Sequence, residues 1–136
     1  GGPQARELVE NEVSLLQTLD HVSLLRLHEA FRDGEKCMYL ITEVCDGGSL
    51  AERIAYHQET SSLMPEARCA RYIEQILSAA AYCHERQVLH RDLKPENVLF
   101  ISRASESPLK VIDFGLADTV ERLQKSWRTE RAQRDG

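Results

Sequence analysis

LHRDLKPENVLF, residues 89–100, places Asp92, Lys94 and Asn97 in one short loop beside Pro95, directly ahead of the apolar run Val98–Ile101. That run reads as a buried strand, so the three polar side chains gather at its start. A second apolar run, Leu109–Ile112, follows the turn-like stretch SRASESP and ends at Asp113-Phe114-Gly115. If the two strands pair as a hairpin, Asp113 returns to the end from which Asn97 departs. Asp92, Asn97 and Asp113 then bring three hard oxygen donors together. That set suits Mg²⁺, which takes one or two protein ligands and leaves room for phosphate and water. Lys94 supplies a point charge for a phosphoryl group, and Gly115 lets the backbone turn just after Asp113.

The surroundings of this loop fit one domain. The chain has 136 residues, 42% hydrophobic and 29% charged, with a net charge of -5. An acidic balance of this kind, with thirteen arginines scattered among acids, argues against a nucleic-acid partner, which usually asks for a basic face. No apolar run approaches the roughly 18 residues needed to span a bilayer. The opening GGPQARELVE has no signal-peptide pattern and no initiating methionine, so it reads as a processed chain, a fragment or an incomplete gene product. Cys37, Cys45, Cys69 and Cys83 show neither CxxC pairing nor metal-ligand spacing. They read as reduced, mostly buried thiols of an intracellular, cytoplasmic protein.

Before the loop, Leu8, Leu15, Leu16 and Leu19 recur at helical spacing over residues 6–19. Glu12 falls on that apolar stripe, where a carboxylate wants a cation. Leu24–Phe31 and Met38–Val44 read as strands of a hairpin turned at Asp33-Gly34. Cys45-Asp46-Gly47-Gly48 is a flexible joint, and Leu50–His57 a short helix. Pro65 opens a second long helix running to about Arg86, with Ile73, Ile76, Leu77, Ala80, Ala81 and Cys83 on its buried face. Beyond Ala117 the charged stretch reads as a helix or a loose tail.

HRDLKPEN, then strand, turn, strand and DFG, is the pattern of the protein-kinase catalytic loop and metal site. From Glu7 to about Asp118 the chain resembles the eukaryotic protein kinases. The fold class implied is α+β, a partial protein-kinase fold. It would hold helix C, a hairpin and the hinge of the small lobe, with helices D and E, catalytic loop and DFG hairpin of the large lobe. The implied division is a partial small lobe over 1–44, a hinge and partial large lobe over 45–118, and a charged tail over 119–136. Leu93-Lys94-Pro95-Glu96 points to the serine/threonine type. SPLKVIDFGLA, residues 107–117, is most similar to calcium/calmodulin-regulated or calcium-dependent kinases.

The resemblance implies roles residue by residue. Asp92 would be the catalytic base and Lys94 would steady the transferring phosphoryl group. Asn97 and Asp113 would hold Mg²⁺. Glu12 looks like the helix C glutamate, Thr42 falls at the gatekeeper position, and Glu43-Val44-Cys45 looks like the hinge that bonds adenine. Glu52 is a further candidate for ribose or substrate. His90 would pack the loop, and Arg91 would await a phosphorylated activation loop. The implied cofactors are ATP and Mg²⁺, the partners ATP and a protein carrying Ser or Thr, with no nucleic acid and no membrane.

Two parts of the pattern are absent from these residues. There is no GxGxxG, and Lys36, Lys94, Lys110 and Lys125 all follow Glu12. After DFG the stretch DTVERLQKSWRTERAQRDG holds nothing like the family's APE-type motif either, so the resemblance implies truncation at both ends. It also leaves a second reading open, an inactive kinase-like scaffold or a fragment without function. The exposed helix face left by such truncation implies a marginally stable chain.

Overall fold

The computed structural model describes residues 3–34 and 37–134. Helix α1 spans Pro3–Thr18. Val13, Leu15, Leu16 and the following Leu19 are buried, whereas Leu8 is 58% exposed. The stripe therefore begins later than its spacing predicts. The core takes Leu15, Leu16 and Leu19 and nothing from the first turns of the helix.

Strands β1, Leu27–Asp33, and β2, Cys37–Thr42, pair antiparallel, with Leu27 opposite Thr42 and Asp33 opposite Cys37. Gly34 adopts φ +62, the conformation expected of the turn; Glu35 and Lys36 lie outside the described residues. The first strand starts three residues later than expected because residues 23–25 bond elsewhere. Leu25 donates to the Val111 carbonyl and Val111 donates to the Ser23 carbonyl. A two-stranded ribbon cannot bury both of its faces. Phe31 stacks on Tyr39 at 5.2 Å, yet both stay exposed, as do Leu40 and Ile41.

After the ribbon the chain crosses to the larger body. Asp46 and Gly47 donate to the carbonyls of Ile101 and Phe100, and Phe100 donates back to Gly48. A Cβ on Gly47 would stand 2.1 Å from the Ser102 carbonyl oxygen, so only glycine permits this crossing. Helix α2, Leu50–Glu59, begins with a capping box: the Ser49 side chain accepts from Glu52 N–H, and the Glu52 carboxylate accepts from Ser49 N–H.

Helix α3, Glu66–Glu85, starts just after Pro65. Its inward stripe is Tyr72, Ile76, Ala79 and Cys83, at helical spacing. The broad face predicted from sequence is narrower than expected, because Ile73, Leu77 and Ala81 lie one position around the helix and face outward. The cysteines also depart from expectation. All four are free, but Cys83 alone is buried, while Cys37 and Cys69 are exposed.

Strand β3, Val88–Leu89, leads into the 89–97 loop, which closes with a 3₁₀ turn at Pro95–Asn97. Strands β4, Val98–Phe100, and β5, Leu109–Val111, form the expected hairpin, with Val98 opposite Val111. The hairpin separates two clusters. Val98, Phe100 and Leu109 pack with Leu50 and Tyr72 on one side; Val111 joins Leu16, Leu24, Ala79 and Phe114 on the other. Phe100 and Leu109 have no exposed surface. Full burial of such side chains contributes roughly 1.5–3 kcal/mol each, which fixes the hairpin in place. Strand β6, Asp118–Thr119, pairs with β3, and the charged stretch forms helix α4, Val120–Arg134, with no buried residue. Arg122 ties α4 to Glu7, Asn11 and Asp118. Among the described residues no helix is long and apolar enough to cross a membrane.

Candidate active site

The 89–97 loop is ordered from within. His90 is buried, bonds the Ile112 carbonyl through Nε2 at 2.8 Å, accepts the Asp92 N–H on Nδ1 at 3.2 Å, and packs edge-on against Phe114. The Asp92 N–H on Nδ1 leaves the proton on Nε2, where it meets the carbonyl. One imidazole thus pins the loop to the end of β5.

Asn97 does the second half. Its Nδ2 donates to the Asp92 carbonyl at 2.9 Å and to the Asp92 carboxylate at 3.0 Å. Its own carbonyl accepts the Ile112 N–H at 2.9 Å. With both amide protons committed, the Asn97 Oδ1 accepts no hydrogen bond from the described residues. Lys94 Nζ lies 3.6 Å from the Asp92 carboxylate and its side chain is half exposed.

Asp113 sits at the far end of β5, one residue beyond Ile112. It is exposed, and its Oδ1 accepts the Gly115 N–H at 3.2 Å. Arg91 and Asp113 both hold left-handed backbone, φ 66 and φ 64. Such conformations cost about 1–3 kcal/mol in a non-glycine residue and concentrate at functional sites. Here the cost is offset locally: Arg91 Nε bonds the Leu116 carbonyl at 2.6 Å, and the aspartate closes its own turn.

Glu12 comes down from α1 onto the same point. A Cβ placed on Gly115 would lie 3.1 Å from the Asp113 Oδ1 and 3.8 Å from the Glu12 Oε2. Asn11 secures the approach by donating to the Ala117 carbonyl at 3.0 Å. The glutamate therefore meets an aspartate where its position on the stripe called for a cation. Burial, and then the Asp113 charge, push its carboxyl above the ordinary range.

The 42–45 segment forms a separate group. Thr42 Oγ1 donates to the Glu43 carbonyl at 3.0 Å. The Glu43 carboxylate accepts the Arg26 N–H at 2.7 Å and pairs with Lys110 at 2.9 Å. Burial raises the Glu43 carboxyl, but the Lys110 bond, the Arg26 N–H and the Lys110 charge together hold it below its ordinary value. Burial, followed by the Glu43 charge, pushes the Cys45 thiol up.

The structure thus brings Asp92, Lys94 and Asn97 into one cluster and Glu12 and Asp113 into another. The two are joined through Ile112 and His90, with no direct hydrogen bond from the Asp113 carboxylate to Asn97 or Asp92 among the described residues. Among the described residues, the 42–45 segment reaches β5 through the Glu43–Lys110 pair. Glu52 is taken up in the α2 cap. Lys110 was not singled out from sequence; the signal available was a lysine between Leu109 and Val111 in a strand read as buried.

The donor chemistry fits Mg²⁺. Asn97 offers an unengaged amide oxygen, and Asp113 one carboxylate oxygen free of the Gly115 bond. No group of three or more His, Cys, Asp or Glu side chains is placed to cage a metal among the described residues. A cation held here would draw its remaining ligands from phosphate and water, which is how Mg²⁺ is usually bound.

The order of elements, with a ribbon, a crossing, two helices and a loop-bearing hairpin ending in Asp-Phe-Gly, is that of a partial kinase fold of the α+β class. The protein kinase domain family matches residues 3–133. This chain belongs to that family, as a member of the serine/threonine type. It is 39% identical over 111 residues to calcium-dependent protein kinase 5 of Plasmodium berghei, covering 82% of this chain and 19% of that protein. CDPK-related kinase 7 of Arabidopsis thaliana is 44% identical over 117 residues, 85% of this chain and 20% of its own. The calcium/calmodulin-dependent serine/threonine-protein kinase 1 of rice, Oryza sativa subsp. japonica, is 42% identical over 123 residues, 86% of this chain and 19% of its own. The chain thus spans about a fifth of the length of these curated relatives.

Proposed function

We propose that these residues carry the catalytic loop and metal site of a serine/threonine protein kinase, which moves the γ-phosphate of ATP to a Ser or Thr hydroxyl of a protein. The observation that supports this reading is the Asn97 amide, whose Nδ2 donates to both the carbonyl and the carboxylate of Asp92. Asp92, fixed in that way, is placed to accept or orient the proton of the attacking hydroxyl. Lys94, half exposed beside it, is placed to meet the phosphoryl oxygens. Asn97 and Asp113 would hold Mg²⁺, which when bound neutralises charge on the phosphate oxygens. Glu43 and Cys45 offer backbone groups to adenine, behind Thr42. The left-handed turn at Asp113 presents its carboxylate to solvent, where the phosphates would lie.

Glu12 favours a second reading. It faces Asp113, and no lysine precedes it in these residues. Losing an electrostatic donor of that kind costs on the order of 10²–10³ in rate. The chain alone is therefore expected to transfer little phosphate and to behave more as a nucleotide-binding scaffold.

Incubation with Mg²⁺, labelled ATP and a generic basic protein tests the proposal. Slow transfer abolished by Asp92→Asn supports it. Transfer that Asp92→Asn leaves unchanged would sink the assignment of the base.

A further inference from the structure

Lys110 has no role in the site as described, yet it is 7% exposed and sits between Leu109 and Val111, both buried. A buried ion pair is poor evidence of stability, since well-packed apolar side chains of similar volume often do as well or better. What distinguishes this pair is its position. Glu43 Oε1 accepts from both Lys110 Nζ, at 2.9 Å, and the Arg26 N–H, at 2.7 Å. The Glu43 N–H returns to the Arg26 carbonyl at 3.1 Å. Glu43 opens the 43–45 segment, and Lys110 lies on β5 three positions before Asp113.

The backbone bonds on either side do not make this connection. Those at Arg26 hold the segment to the start of β1, and those at Asp46 and Gly47 hold it to β4. Among the described residues, the side-chain route from the segment to β5 is the Lys110–Glu43 pair. Residues 23–25 lie along the same strand through Leu25 and Val111, so the carboxylate sits where three segments meet.

We propose that Lys110 and Glu43 are positioning residues forming a latch, which couples the segment facing the nucleotide base to the strand that aims Asp113 at the metal. This rests on the reading of 43–45 and Asp113 given under Proposed function. The latch makes one end of the nucleotide site sensitive to the other: occupancy by the base fixes β5, and a fixed β5 holds Asp113 ready for the cation.

The test uses the whole chain, wild type, with Lys110→Arg and the neutral pair Glu43→Gln/Lys110→Met. Adenosine binding, ADP binding in chelator and ADP binding with Mg²⁺ are titrated for each. The gain in ADP affinity on adding Mg²⁺ is expected to fall about fivefold or more in the neutral pair and to survive in Lys110→Arg, with the adenosine titration separating any loss of base binding from loss of the Mg²⁺ gain. A neutral pair that melts like the wild type and keeps the full Mg²⁺ gain overturns the latch.

Amide exchange supplies a readout independent of nucleotide. Amides of residues 43–45 should exchange about tenfold faster in the neutral pair, with those of Val98–Phe100 unmoved and Lys110→Arg resembling wild type. Unchanged exchange at 43–45 also overturns the proposal. Should wild type bind no ADP, the reading of the site fails, and exchange alone decides the latch.

Discussion

Glu12 and Glu43 are both partly buried glutamates beside β5, and they meet opposite surroundings. Glu43 has a lysine at 2.9 Å and a backbone N–H at 2.7 Å, and its carboxyl is held below the ordinary range. Glu12 has an aspartate for a neighbour, and its carboxyl is pushed up. The difference teaches that the two ends of this site are not equally complete in themselves. The Glu43 end is satisfied by residues of the chain; the Glu12 end sets two carboxylates side by side.

The largest effect should come from removing the satisfied carboxylate. Glu43→Ala leaves Lys110 buried without a partner, and breaking a buried pair costs about 3–5 kcal/mol. Urea titration should show the midpoint falling by a large fraction or the transition lost. A change below about 1 kcal/mol would mean that Lys110 finds water or another acceptor.

Glu12→Gln should act in the opposite direction and less strongly. A raised carboxyl costs nothing below its unfolded value, and its penalty grows as pH rises through the folded value. In metal-free protein at neutral pH the substitution is therefore expected to stabilise, read as a small rise in Tm. That gain should vanish at a pH below the ordinary carboxylate range. Destabilisation at neutral pH would contradict the placement of Glu12 beside Asp113.

Acid titration sharpens the same contrast with a smaller signal. Glu43, with its lowered carboxyl, contributes stability that is fully present above its unfolded value and is lost as pH falls through the folded value. Glu43→Gln should accordingly flatten the acid limb of the stability curve, whereas Glu12→Gln should remove the loss of stability that the raised carboxyl imposes as pH climbs above its unfolded value. Matching curves for the two variants would remove the distinction.

The 89–97 loop is legible because its interactions are local. His90, Asp92 and Asn97 bond within a few residues or across one hairpin, and the hairpin follows from two apolar runs and a turn. The family followed from the same letters. Long-range partners were not legible in this way. Glu43 and Lys110 lie 67 positions apart, and nothing in VIDFG or TEVC announces that they meet. Periodicity located α3 but not the width of its buried stripe, since Tyr72 turned inward and Ile73 and Leu77 outward. The position of Glu12 on the apolar stripe predicts a cationic neighbour, and the neighbour found is Asp113. That Asp113 would face it depended on the left-handed turn at Asp113, which spacing does not encode.

The central claim is that Asp92, Asn97 and Asp113 serve one metal–nucleotide site. Mn²⁺ with ADP, titrated into isotopically labelled protein, reads this directly through paramagnetic broadening. Broadening is expected to appear together at the amides of Asp92, Asn97 and Asp113, ahead of exposed acids on α3 such as Glu74, and to disappear from all three in Asp113→Asn. Broadening that spares the loop, or that survives in Asp113→Asn, would contradict it.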